Sequence, residues 1–457
     1  MSLLTAKTKI CMATEQFPQC SAGAVAKDSR CQPIPLARLP YPVGWRLVCD
    51  FLGTHDIIHL AQTTSEHLNM GFSMIQHLTL RIREEDENLG RKGEGCQSMC
   101  TSRAVGSHLA RFLSRCVELD SLSCRSLTFS KGECLGDAMR QLRIRCLHSP
   151  SPLSRVRVLA LSHAGLRVEG LLHLLPSLHL FPALEELLLD GNALGNQGVR
   201  AFSRSLRGLG WKDSDGGRVS ERFSSMGTGQ CLKVLSLASN GIGTAGANEL
   251  ALLLSGAGNG DVRAWNGGDA HPASAVLETS QHQSLSQRHP CALLEALCLD
   301  GNVLGPSGTA HLARAFRRGA CTQLRQLHLR NNDVRGQGLQ DLLSAFASGA
   351  CPHLTVLSLE SNMFGTVGAR WLAHALSSGA CADLRVLNLN FTFIGEHGMR
   401  ALAEAFGQGA CRRIHTLYLK SACLRRASTL DHLQASTRAG EREGRGERER
   451  GYPVLVL

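Results

Sequence analysis

Between Cys291 and Leu424 the chain repeats one phrase: Leu297-Cys298-Leu299-Asp300-Gly301-Asn302, then Leu327-His328-Leu329-Arg330-Asn331-Asn332, then Leu357-Ser358-Leu359-Glu360-Ser361-Asn362. The closing asparagines are 30 residues apart, and Thr392 and Ala422 hold the same place in two further copies. Gly308, Gly338, Gly368 and Gly398 keep step, as do Cys291, Cys321, Cys351, Cys381 and Cys411. Several residue types recurring in one register mark a stack of repeats rather than a single globular core.

Each copy reads as one strand and one helix. In Leu324-x-x-Leu327-x-Leu329 the alternation sets Leu327 and Leu329 on one face of a short strand, and neighbouring copies lie side by side about 4.8 Å apart. Asn332 stands where the chain leaves the strand, and its amide both donates and accepts, so a column of such residues satisfies backbone groups at the corner. Gly338 opens a helix whose buried stripe is Leu342, Leu343 and Phe346, and Gly349-Ala350 ends it. The stripe recurs as Leu312/Ala313/Phe316, Leu372/Ala373/Leu376 and Leu402/Ala403/Phe406. One unit cannot cover its own apolar face, so the copies must stack. The expected class is α/β: a solenoid with parallel strands inside and helices outside.

Upstream copies are less regular. Val156-x-x-Leu159-x-Leu161 leads to Ala164, Leu184-x-x-Leu187-x-Leu189 to Asn192, and Leu232-x-x-Leu235-x-Leu237 to Asn240. Asn240 follows Asn192 by 48 residues and Asn302 follows Asn240 by 62. The excess matches two polar inserts, 208–229 and 255–290, whose low apolar content argues for disorder. The repeats thus span 156–426, and a degenerate copy around Leu119 and Leu122 falls in a transitional region, 81–155. Residues 1–35 carry no period and read as a disordered leader. Residues 427–457 form a charged tail of alternating Glu and Arg, closed by an apolar end, Pro453–Leu457, that suits packing on the last repeat.

Residues 36–80 differ. Trp45, Val48, Cys49 and Leu52 fall at helical spacing, Asp56 suits the cap of a second helix with Ile57, Leu60 and Ala61, and Thr63–Glu66 matches a capping box. Three short amphipathic helices hold too little core to stand alone and require docking on a partner or on the first repeat.

The 30-residue phrase resembles the leucine-rich repeat of the ribonuclease-inhibitor type, as in Leu237-Ala-Ser-Asn240-Gly-Ile242-Gly243 and Leu299-Asp-Gly-Asn302-Val-Leu304-Gly305. Residues 36–80 resemble an F-box through Leu39-Pro40, Val43, Val48, Phe51-Leu52, Asp56, Leu60-Ala61, Thr63-Thr64-Ser65 and Leu68, with Pro42 and Glu66 departing from that family's acidic and basic positions. The pair of resemblances implies a substrate receptor of a cullin-type ubiquitin ligase. Leu39, Pro40, Val48, Phe51 and Leu52 would hold the adaptor, and the solenoid would hold a substrate protein. Two alternatives stay open: a general scaffold whose helical segment only caps the stack, and a small-GTPase regulator of the Ran-activating type.

Solenoids bind through the curved strand face. Its outward positions are Asp300, Gln326, His328, Arg330, Ser358, Glu360, Asn388, Asn390, Tyr418 and Lys420, a mixed polar row suited to a protein or peptide. No phosphate loop, H-E-x-x-H or G-x-S-x-G occurs, so the sequence points away from an enzyme and implies no cofactor and no small-molecule substrate. The 18 cysteines suggest zinc only at Cys96-x-x-x-Cys100 with His108, one ligand short of a structural site, and the five in register read as a buried column. With 49 basic and 38 acidic residues the net charge is +11. Arg412, Arg413, Lys420, Arg425 and Arg426 contribute without an acid between Glu404 and Asp431, yet only Tyr418 offers a stacking ring, which disfavours nucleic acid. No apolar run reaches the ~18 residues of a membrane span, and Met1–Phe17 lacks a secretory stretch. The expected setting is the cytoplasm or nucleus.

Overall fold

The structure is a computed structural model. It describes residues 10–12, 45–52, 75–82, 102–126, 132–145, 151–207, 211–212, 218–219, 232–256, 291–420 and 454–456. The chain divides into two compact units, Met1–Leu184 and Glu185–Leu457.

In the first unit the strands are β1 (Ile10–Met12), β2 (Trp45–Leu52), β3 (Ile75–Ile82), β4 (Ser121–Ser126) and β5 (Val158–Ala160). β1 runs antiparallel to β2, and β2, β3, β4 and β5 pair in parallel. The helices α1 (Ser102–Leu113), α2 (Gly132–Arg145) and α3 (Arg167–Leu174) alternate with the later strands. Leu119 and Leu122, which the sequence placed in a degenerate copy, are fully buried.

The helical reading of 36–80 is corrected at its first step. Val48, Phe51 and Leu52 lie in strand β2, with Leu47 opposite Leu78 and Cys49 opposite Leu80. Trp45, Val48 and Leu52 fit a helical stripe, but Leu47, Cys49 and Phe51 fit strand alternation equally well, and a short apolar run cannot separate the two. Pairing on both edges decides for the strand. Leu39, Pro40 and the second and third helices lie outside the described residues.

The second unit carries the regular stack. Its strands are β6 (Glu186–Leu188), β7 (Trp211–Lys212), β8 (Arg218–Val219), β9 (Val234–Ser236), β10 (Ala296–Cys298), β11 (Gln326–His328), β12 (Val356–Ser358), β13 (Val386–Asn388), β14 (Thr416–Tyr418) and β15 (Val454–Val456). The helices are α4 (Gly195–Leu206), α5 (Thr244–Leu254), α6 (Gly305–Arg317), α7 (Gly336–Ala347), α8 (Gly365–Ser377) and α9 (Gly395–Gly407). β6 pairs in parallel with β9, then each strand from β9 to β15 with the next. Leu297, Leu327, Leu357, Leu387 and Leu417 face one another across these ladders, all buried. The apolar tail does join the last repeat, with Leu455 opposite Leu417. The first insert, expected to lack structure, holds the antiparallel pair β7–β8.

The asparagine column works as its chemistry requires. The Asn362 side-chain oxygen accepts the N–H groups of Asn332 and Val334 at 3.0 and 2.9 Å, and its amide donates to the Leu329 carbonyl at 2.7 Å. Asn302 serves Asn240 and Ile242 in the same way, both at 3.0 Å. The glycine reading shifts by two residues: α7 starts at Gly336, and Gly338 sits inside the helix. There a Cβ would come 2.1 Å from the Pro306 carbonyl oxygen of the preceding helix, so the missing side chain is what lets consecutive helices approach.

The cysteine column is buried, and Cys321, Cys351, Cys381 and Cys411 all take positive φ where the chain turns from helix to strand. Burial raises the thiols of Cys291, Cys351 and Cys411 to about 12. The layers also meet through aromatic rings: Phe316 and Phe346 stack with centroids 6.4 Å apart. Among the described residues no helix is long and apolar enough to cross a membrane.

Candidate functional site

Strand alternation leaves one sheet face uncovered by the helices. Ladder register aligns Cys298, His328, Ser358, Asn388 and Tyr418 in one row across five strands. Ser358 is buried, while the other four are half-buried. A second row follows two residues on: Asp190, Ala238, Asp300, Arg330, Glu360, Asn390 and Lys420, where Arg330 and Lys420 are exposed. Gln326, at the start of β11, is exposed as well.

Much of the second row is tied between layers. Asp300 accepts the Arg330 N–H at 2.7 Å, and Asn390 accepts the Lys420 N–H at 2.6 Å. Asp190 does the same for Ala238 at 2.8 Å and also accepts the Ser236 hydroxyl. A short polar side chain in this slot thus closes the strand exit of the following repeat. Burial pushes the Asp300 carboxyl up, while the Arg330 N–H and the charges of His328 and Arg330 act against it. Glu360 joins three layers: its carboxylate lies 3.5 Å from the Arg330 guanidinium and accepts the Asn388 amide at 2.8 Å. Asn388 in turn accepts the Asn390 N–H at 3.1 Å.

The result is a connected polar network from Asp300 to Lys420 whose side chains are held before any ligand arrives. Such preorganisation reduces the entropy cost of binding. The network was invisible in the sequence, which showed polar residues at open positions but not which of them already had partners. Gln326, His328, Tyr418 and Lys420 line the same face, and their side chains make none of these bonds.

Cys298 was missed because it sits inside the Leu-x-Leu phrase. It lies in the first row, and burial raises its thiol to about 11, so it stays protonated near neutrality and is a poor nucleophile. Among the described residues no group of three or more His, Cys, Asp or Glu is placed to hold a metal ion. Val48, Phe51 and Leu52, expected to contact an adaptor, are placed only as backbone of β2.

A family model for the leucine-rich repeat matches residues 230–251, 320–343 and 350–373. No curated protein matches the chain. Among solved structures, an internalin from Listeria monocytogenes is similar at 12% identity and TM-score 0.36, covering 85% of this chain and 84% of that one. The leucine-rich repeat-containing protein LegL7 from Legionella pneumophila is similar at 14% identity and TM-score 0.33, covering 81% and 84%. With leucine-rich repeats matched in the sequence and strands alternating with helices in 30-residue register, the chain is an α/β leucine-rich-repeat solenoid.

Proposed function

We propose that the chain is a non-catalytic interaction scaffold that presents the sheet face around Gln326, His328, Tyr418 and Lys420 to a protein partner. The observation that carries this reading is the cross-layer network at Glu360, which fixes the polar row as one surface. The mixed charge of that surface suits a folded protein or peptide. The test is affinity capture with the full chain, followed by titration of the recovered partner, once purified, against wild type and a Q326A/H328A/Y418A variant. Binding at least tenfold weaker in the variant, with unchanged circular dichroism, supports the reading. Equal affinity overturns it.

The narrower role, a substrate receptor of a cullin-type ligase acting in the cytoplasm or nucleus, rests on the resemblance at Leu39–Leu68 alone. The strand at Trp45–Leu52 counts against it, because the adaptor-binding F-box is helical there. Pull-down of the purified adaptor by wild type but not by an L39A/P40A/F51A variant is what that role requires.

A further inference from the structure

We propose that the corner joining β13 to α9 is a second docking surface, which takes an acidic peptide segment carrying an aromatic or aliphatic anchor. The proposal rests on the reading of the chain as an interaction scaffold and shares Lys420, but not Gln326, His328 or Tyr418, with the face named for it.

Two positions at each strand-to-helix corner carry the argument. The first is filled in successive copies by Gly191, Ser239, Gly301, Asn331, Ser361 and Phe391, all at positive φ, the last at 57°. The second holds Ala193 (52°), Gly241 (69°), Asp333 (57°) and Phe393 (56°) in the same region. Left-handed backbone suits Gly and Asn, whereas for a bulky residue it is an outlier. Phe391 and Phe393 accept this strain twice within three residues and are covered only in part. They are 36% and 48% exposed, so both rings remain in contact with water. Strain kept by rings that stay partly exposed is the kind of outlier from which a functional role is inferred.

The rings have apolar company. Met363 occupies the place of Phe393 one layer back and is 62% exposed, and Val367, one turn further into α8, is 59% exposed. Exposed apolar residues at one corner of neighbouring layers are candidates for a contact site. Its chemistry is set by the charges beside it. The Phe391 N–H donates to the Lys420 carbonyl at 2.9 Å, which places Lys420 in the adjacent layer. The nearby acids are already engaged: Glu396, in the first turn of α9, by Arg400 at 3.6 Å, Glu360 by Arg330 at 3.5 Å and Asp333 by Arg335 at 2.8 Å. Lys420 has no ion-pair partner among the described residues. An occupant with carboxylates matches that charge. Phe391 and Phe393 would also stack bases, but Met363 and Val367 extend the patch with aliphatic surface that gives a base nothing to stack on, which favours a polypeptide over a nucleic acid.

The experiment pans a random twelve-residue peptide display library on the full chain and titrates the selected peptides against four proteins. These are wild type, an F391S/F393G variant bearing the residues the chain itself uses at Ser361 and Gly241, K420E, and Q326A/H328A/Y418A. The expected peptides are acidic with an aromatic or aliphatic anchor. They bind F391S/F393G and K420E at least tenfold more weakly, while F391S/F393G melts at or above the wild-type temperature because strain is relieved. Equal binding to F391S/F393G overturns the proposal. So does a lower melting temperature in that variant, which would mean the rings serve packing, and so does recovery of no acidic peptide while a twelve-nucleotide oligouridine binds the chain. Loss of binding in Q326A/H328A/Y418A alone overturns this surface and leaves the proposed function standing.

Discussion

The side-chain oxygen of Asn362 accepts the backbone N–H of Asn332 at 3.0 Å, joining two residues 30 apart in sequence. The corresponding oxygen of Asn332 finds no donor although the residue is 1% exposed, and the Val303 N–H of the preceding corner goes instead to the Ile242 carbonyl at 2.9 Å. The column is therefore broken at one layer. Asn362→Ala strands two buried N–H groups and three carbonyl contacts, whereas Asn332→Ala removes only amide donors to the Leu299 and Arg330 carbonyls. At about 1–3 kcal/mol for each buried group left unsatisfied, Asn362→Ala costs about 3 kcal/mol or more and Asn332→Ala about half that. Urea unfolding of the two variants checks the order.

Helix approach gives a second prediction. Gly338→Ala places a methyl 2.1 Å from the Pro306 carbonyl oxygen, a backbone atom that cannot step aside. At Gly308 the nearest atom is the Ala247 Cβ, at 3.1 Å. Replacing Gly by Ala inside a helix gains about 1 kcal/mol of propensity, and overpacking costs about 1–3 kcal/mol. Gly338→Ala is therefore expected to destabilise by about 2 kcal/mol, and Gly308→Ala to lie within about 1 kcal/mol of wild type. Thermal melts of both measure it.

The cysteine column makes stability depend on alkaline pH. Burial raises Cys291, Cys351 and Cys411 from 9.0 to about 12, and it raises Cys321 and Cys381 as well. The folded thiols hold their protons where the unfolded ones release them, so this stability is full below pH 9 and is lost as pH rises from 9 towards 12. Denaturant unfolding between pH 8 and pH 10.5 is expected to show a steeper fall for wild type than for a variant with all five replaced by Ala. Parallel curves would count against the burial.

The C-terminal strand closes the sheet. Val454–Val456 pairs with Thr416–Tyr418, covering an edge that otherwise presents unpaired backbone groups. Removal of Pro453–Leu457 is expected to lower the melting temperature by a few degrees and to cause concentration-dependent association in light scattering. A truncated chain that melts and sediments like wild type would show the strand to be dispensable.

The stack was legible because its determinants are local and periodic: Leu327 and Leu329, Asn332 and Gly338 each recur at one spacing with one chemistry. What escaped the reading depends on what lies opposite. Trp45–Leu52 carries both a helical and a strand pattern, and only its partners β1 and β3 choose between them. Gly338 looked like a helix start because the close approach to Pro306 is a property of two layers. At the sheet face, Asp300 and Asn390 read as free ligands until their bonds to the Arg330 and Lys420 N–H groups appear. Phe391 and Phe393 carry a signal in the sequence, aromatic rings in slots that other copies fill mainly with small or polar residues, but their positive φ and exposure depend on the corner they occupy.

If residues 30 apart stand side by side, the distance between distant copies is set by counting strands. Glu186 and Thr416 lie six ladder steps apart, through β9, β10, β11, β12 and β13. Spin labels attached at these two positions through non-cysteine chemistry and read by pulsed dipolar spectroscopy give that separation directly. The stack predicts one narrow distribution centred at about 25–30 Å, from about 4.8 Å per strand. A broad distribution, or a centre beyond about 40 Å, would contradict it.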